Sequence, residues 1–143
     1  MLRTGMIVLS IWSGLHLLIA LAANGAMILN QDAPGFRLLF GDSAIQEYDP
    51  SIVATINSLC MQCNALVAGY CLLALVVIWT GLAKRAMWAF WGLLIAMGSF
   101  QLFGFVSVAY YGGVGIFLSY YIVSSAVLVV GFGFSAYALY RQD

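Results

Sequence analysis

Charged residues are scarce in this chain of 143 residues. Only 7% are Asp, Glu, Lys or Arg, and five basic residues balance five acidic ones. Ordinary soluble domains carry about 25% charged residues. Because so few cations cannot form a basic face for a run of phosphates, no nucleic-acid partner is expected. A composition that is 64% hydrophobic indicates instead an integral membrane protein whose first partner is the lipid bilayer.

Four long apolar runs account for most of the chain. Each could cross a hydrocarbon core of about 30 Å as an α-helix. The runs are apolar on every face, whereas the strands of a membrane barrel alternate apolar and polar residues. We therefore predict an all-α integral membrane protein, a four-transmembrane-helix bundle that forms a single domain over residues 1–143. The predicted helices cover about residues 5–29, 51–80, 87–110 and 116–140.

The connections between these runs predict two helical hairpins joined by an acidic extracytoplasmic loop over residues 30–50. That loop holds four acidic residues against the single cation Arg37. The other cations are expected on the opposite side, at Arg3, Lys84, Arg85 and Arg141. Because cytoplasmic loops carry an excess of Lys and Arg, we expect both termini in the cytoplasm. The expected location is a bacterial inner (cytoplasmic) membrane.

Ionisable side chains are missing from the apolar runs. No Asp, Glu, Lys or Arg lies within them, although such residues supply the acids and bases of proton-coupled transporters and the charged rings of ion pores. We therefore predict no catalytic residue, no metal site and no resident cofactor. Quinone, haem and bound lipid stay open as alternatives.

His16 is the only histidine, and it lies near the middle of the first run. It is a candidate cofactor ligand or proton relay, but the commoner role is a neutral imidazole hydrogen-bonded across a helix interface. Because the chain has a single histidine, it cannot supply both axial ligands of a bis-histidine haem. A cofactor at His16 would therefore need its second ligand from a partner.

The second run carries the densest set of polar side chains. Asn57, Cys60 and Asn64 recur at helical spacing, and they lie at a depth similar to Asn24 and Gln101 on the predicted topology. Such groups either bond one another between helices, which is the commoner outcome, or line a small cavity open to the outside. The candidate polar cavity comprises Asn24, Asn57, Cys60, Cys63, Asn64 and Gln101.

Cys60 and Cys63 form a C-x-x-C pair that would face an oxidising compartment. Redox versions of this motif begin a helix, where the helix dipole lowers the pKa of the attacking thiol. Here Cys60 lies more than two turns beyond Pro50. Packing by small buried thiols is therefore the preferred interpretation.

Three functional hypotheses follow. Small size and the lack of a catalytic set favour a non-catalytic accessory or structural subunit that docks onto a larger membrane complex, with redox or energy-transducing assemblies as candidate hosts. Small-x-x-x-small pairs such as Gly131 and Ser135 allow docking on protein partners within the membrane, self-association or close packing in the bundle. The first alternative is a small membrane oxidoreductase or quinone-binding subunit that uses the C-x-x-C pair and His16. The second is a lipid or small-molecule carrier with an outward-facing polar cavity.

Overall fold

The computed structural model describes residues 1–29, 33, 35, 37, 46–111 and 116–141. Helices make up 92% of this part of the chain and it contains no strand, which confirms the predicted all-α class. The long helices are α1 (Leu2–Leu29), α2 (Pro50–Thr80), α3 (Met87–Tyr111) and α4 (Ile116–Tyr140).

All four helices are long and apolar enough to cross a membrane, as predicted. Only 28–33% of the most apolar window of each helix is buried. Large apolar side chains are exposed as a result, with Leu66 73%, Phe103 72% and Val129 72% exposed. In water this surface would cost about 25 cal/mol per Å². Lipid is the solvent that accommodates it, so the fold is consistent with a membrane location.

The helices group into two compact units. The first contains Met1–Gly14 and Leu73–Asp143, and the second contains Leu15–Leu72. The single domain expected over residues 1–143 stays a prediction.

In the first unit, α1 and α4 approach each other closely because small residues line the crossing. A Cβ atom added to Gly5 would overlap Ser135 Oγ and would lie 2.8 Å from the carbonyl oxygen of Gly131. A Cβ atom on Gly131 would lie 2.8 Å from Leu9 Cδ2. The Gly131 and Ser135 pair therefore acts as an internal packing surface.

Helix α3 packs against α4 along the same unit. The rings of Phe90 and Phe132 meet edge to face with centroids 5.8 Å apart. A Cβ atom added to Gly104 would overlap the ring of Tyr121, so this glycine allows the two helices to come together.

A tight turn leads from α2 into α3. A short 3-10 helix over Leu82–Lys84 ends at Arg85, which adopts a left-handed conformation with φ 56°. The Ala86 amide donates to the Gly81 carbonyl at 3.1 Å, which closes the turn. Both cations of the turn, Lys84 and Arg85, are exposed.

In the second unit, α2 begins at a capped end. The Asp49 carboxylate accepts hydrogen bonds from the Ser51 amide at 2.8 Å and from the Ser51 hydroxyl at 2.6 Å. Pro50, which has no N–H to leave unpaired, is well suited to the first helical position. Val53 is buried one turn later, with Ala33 and Ile56 packed against it.

Candidate functional site

The predicted polar residues of α2 do not all face the same way. Asn57, Cys60 and Asn64 are half-buried, whereas Cys63 is exposed. Both cysteines of the C-x-x-C pair are free thiols. The two thiols therefore differ in surroundings, as expected for helix positions three residues apart at the edge of a packed face.

Asn57 bonds to the segment between α1 and α2. Its Oδ1 atom accepts a hydrogen bond from the Gly35 amide at 2.9 Å. Gly35 lies so close to α2 that an added Cβ atom would be 2.9 Å from both Asn57 Oδ1 and Cys60 Cβ. The same atom would be 3.1 Å from Met27 Cε of α1. The side-chain oxygen of Asn57 therefore attaches the backbone at Gly35 to α2.

A cavity of about 390 Å³ lies beside this contact in the second unit. We call it the outer-loop cavity, after the predicted position of the loop over residues 30–50. Asn57 is the one residue of the predicted set that lines it among the described residues, and Ser58 adds a hydroxyl group. The described lining is Ala33, Pro50, Val53, Ala54, Asn57, Ser58 and Met61.

Asn24 and His16 lie on the α1 segment of the second unit. The Oδ1 atom of Asn24 is buried and accepts no hydrogen bond from the described residues. His16 is buried, with 3% of its surface exposed. No group of three His, Cys, Asp or Glu side chains that could hold a metal ion occurs in the described part of the chain.

Gln101 is the predicted residue whose environment is most distinctive, and it belongs to the first unit. It is only 5% exposed. Its Nε2 atom donates to the Tyr121 carbonyl at 2.9 Å and to Ser125 Oγ at 3.0 Å. Both amide protons are thereby used, and both partners lie on α4.

The side-chain oxygen of Gln101 has no hydrogen-bond donor among the described residues. Its Oε1 atom is buried and accepts no hydrogen bond from the described residues. The orientation of the amide is determined by Tyr121, because a backbone carbonyl only accepts and must face the NH₂ group. Gln101 therefore keeps a buried, unpaired acceptor in an apolar environment.

Gln101 lies in a groove of about 360 Å³ between α3 and α4, which we call the α3–α4 groove. Its polar groups are confined to the end that carries Gln101 and Ser125, and the rest of the wall is apolar. The lining is Leu94, Gly98, Gln101, Ser125, Leu128, Val129 and Phe132. Gly98 and Val129 are exposed, so the groove opens on the surface of the first unit.

Sequence reasoning missed a polar contact between α1 and α4. Trp12 Nε1 donates to Ser124 Oγ at 2.7 Å, and the Trp12 ring meets Phe100 of α3 edge to face at 5.9 Å. The signal was present, since a tryptophan near the middle of a span lies outside the interfacial belt where this residue is common. A buried indole N–H needs an acceptor, and Ser124 supplies it.

Comparison with known protein families, with curated proteins and with solved structures finds no match for this chain.

Proposed function

We propose that this chain is a non-catalytic subunit that docks within the bilayer onto a larger membrane complex. The observation that carries this proposal is how the polar groups of the helices are used. Trp12 bonds Ser124, Gln101 bonds Tyr121, and Asn57 bonds the Gly35 amide. These side chains connect segments of the chain to one another, which is the task of polar groups in a structural membrane protein.

The proposed topology places both termini in the cytoplasm of a bacterial cell, with two helical hairpins in the inner membrane. The acidic loop over residues 30–50 then lies outside. Support comes from the cations, since Arg3, Lys84, Arg85 and Arg141 are all exposed at or beyond helix ends. Arg141 also lies over the Tyr137 ring at 5.2 Å from its centroid. A C-terminal green fluorescent protein fusion should fluoresce, and a fusion of periplasmic alkaline phosphatase there should be inactive. The reverse pattern contradicts this topology.

Photo-crosslinking in the native membrane tests the docking role. A benzophenone amino acid would be introduced singly at Leu66, Phe103 and Val129, which are among the most exposed apolar positions. A docked subunit gives a crosslinked product of one defined mass at a subset of these positions. A chain surrounded only by lipid gives no protein crosslink at any of them, and that result overturns the proposal.

A second candidate function is lipid or small-molecule binding, which the outer-loop cavity favours. Its volume of about 390 Å³ falls within the range of small-molecule sites, and Asn57 and Ser58 add polar atoms to its wall. Ala54→Trp should fill the cavity. Mass spectrometry of the lipids retained after mild solubilisation should then show a loss of one lipid species relative to Ala54→Gly. Identical lipid profiles for the two variants contradict this function.

A further inference from the structure

The α3–α4 groove has the features of a ligand site that is separate from the outer-loop cavity. It combines an apolar wall, an opening towards lipid and one buried acceptor without a hydrogen-bond donor. A buried carbonyl oxygen is destabilising unless a donor reaches it. From this arrangement we infer that the groove binds a neutral lipid that carries a hydroxyl group, which moves the side chains around Gln101 aside and donates to its buried Oε1 atom. The inference does not depend on the proposed docking role.

The hydrogen-bonding state of Gln101 selects the chemistry of the ligand. Both Nε2 protons are already donated, to Tyr121 and Ser125, so the amide has no proton left for a ligand carbonyl. The remaining Oε1 atom can only accept. An alcohol or a quinol therefore fits this atom, whereas an oxidised quinone or an ester carbonyl does not.

The position of Gln101 in the span selects a neutral ligand. Seven residues separate it from Val108, where the α3 span ends, which is about 10 Å at 1.5 Å per residue. A charged headgroup at that depth would be costly, and none of the described residues that line the groove carries a charge to offset the cost. A single hydroxyl group can enter the hydrocarbon region far more easily.

The shape of the groove fits a chain that continues towards the bilayer centre. Leu94 lies seven residues from Gln101 in the direction away from Val108, about 10 Å along α3. The walls at that end are formed by Leu94, Leu128 and Phe132, so they are entirely apolar. The hydroxyl end and the hydrocarbon end of the ligand thus each meet a matching surface.

Gly98 offers a way to close the groove without disturbing Gln101. A Cβ atom added at this position meets no atom within 4 Å. Gly98→Leu should therefore fill the groove while the bonds from Gln101 to α4 persist. Gly92 of the same helix is also exposed and meets nothing within 4 Å, but it does not line the groove. Gly92→Leu is the matched control.

Photolabelling of the full chain in phosphatidylcholine vesicles tests the inference. The probes are hexadecanol with a diazirine in its chain and the methyl ether of the same molecule, which cannot donate. The alcohol should label α3 and α4 peptides of the groove about five- to ten-fold more than the ether, the factor expected from one hydrogen bond. Gly98→Leu should reduce alcohol labelling to the ether level, and Gly92→Leu should leave it unchanged. A long-chain quinol should compete with the alcohol, whereas its oxidised quinone should not.

Three results would overturn the inference. Equal labelling by alcohol and ether would show that a hydrogen bond to the Oε1 atom does not contribute to binding. Equal labelling of wild type and Gly98→Leu places the ligand outside the groove. A chemically crosslinked homodimer that Gly98→Leu abolishes, together with no alcohol labelling, shows that a second copy of this chain covers the groove.

Discussion

The outer-loop cavity and the α3–α4 groove each contain an amide side chain, but they use opposite ends of that amide. In the outer-loop cavity the oxygen of Asn57 accepts from the Gly35 backbone. In the groove the nitrogen of Gln101 donates twice to α4, and its oxygen is left without a donor. The first amide therefore holds a connecting segment in place, whereas the second keeps an unpaired oxygen, to which we assign the proposed ligand. Residue type alone does not separate the two roles.

The largest effect is expected at the end of the groove, from Gly104→Leu. The new side chain would overlap the Tyr121 ring, which is confined by Phe105 and Tyr120 at centroid distances of 5.7 and 5.3 Å. We expect a loss of about 2–3 kcal/mol in the free energy of unfolding, the upper range for overpacking. Unfolding in detergent measures it, with Gly98→Leu as the control that should change stability little. Equal stability of the two variants would mean that α3 and α4 are not in close contact here.

Asn57→Leu should affect the outer-loop cavity and leave the groove intact. It removes the acceptor of the Gly35 amide, so we expect a loss of about 1–2 kcal/mol. Hydrogen exchange at the Gly35 amide should accelerate about 5–30-fold, while alcohol labelling of the groove stays at the wild-type level. Unchanged exchange at Gly35 would show that Asn57 does not hold this segment.

Gln101→Leu should affect the groove and leave the outer-loop cavity intact. Its effect on stability should be smaller than that of Asn57→Leu. It removes two hydrogen bonds to α4 but also an unpaired buried acceptor, and interhelical bonds in membranes average about 0.6 kcal/mol. We therefore expect at most about 1 kcal/mol of destabilisation together with a loss of selective alcohol labelling. Exchange at Gly35 should not change. If labelling persists, the selectivity of the groove has another source.

The smallest effect on stability is expected when acid protonates the Asp49 carboxylate at the start of α2. Hydrogen bonds from Ser51 lower the pKa of the Asp49 carboxyl below its ordinary value of 3.8. The stabilisation from this cap is therefore complete above the ordinary pKa and is lost as the pH falls through the lowered value. The melting temperature in detergent should show a slight acid-dependent decrease that Asp49→Asn removes. The lining of the groove includes no titratable side chain among the described residues, so alcohol labelling should not change over the same range.

Much of the secondary structure could be predicted because its cause is local. A run of apolar residues long enough to cross the bilayer has to satisfy its own backbone hydrogen bonds, and the helix does so within one segment. The four apolar runs accordingly coincide with α1, α2, α3 and α4, which are long and apolar enough to cross a membrane. The cap at Asp49 and Pro50 is equally local, and the Asp-Pro pair marked that helix start in the sequence.

The candidate site was only partly predictable, since depth along a helix does not determine which neighbour a side chain meets. Asn57 and Gln101 were grouped at one depth, yet the described partners of Gln101 are on α4 and that of Asn57 is Gly35. Ser125, Gly98 and Phe132 were not proposed as parts of any site. Small and apolar residues carry no chemical signal until packing places them around a groove.

The sequence by itself determined the class of this structure and indicated its solvent. Scarce charge and long apolar runs favour lipid and helices, because transferring charges and unpaired peptide groups into hydrocarbon is costly. Between Asn57 and Gln101, the tertiary structure alone decided which amide keeps an unpaired acceptor. That depends on whether a donor on another segment comes within about 3 Å, as the Gly35 amide does for Asn57 and no described group does for Gln101.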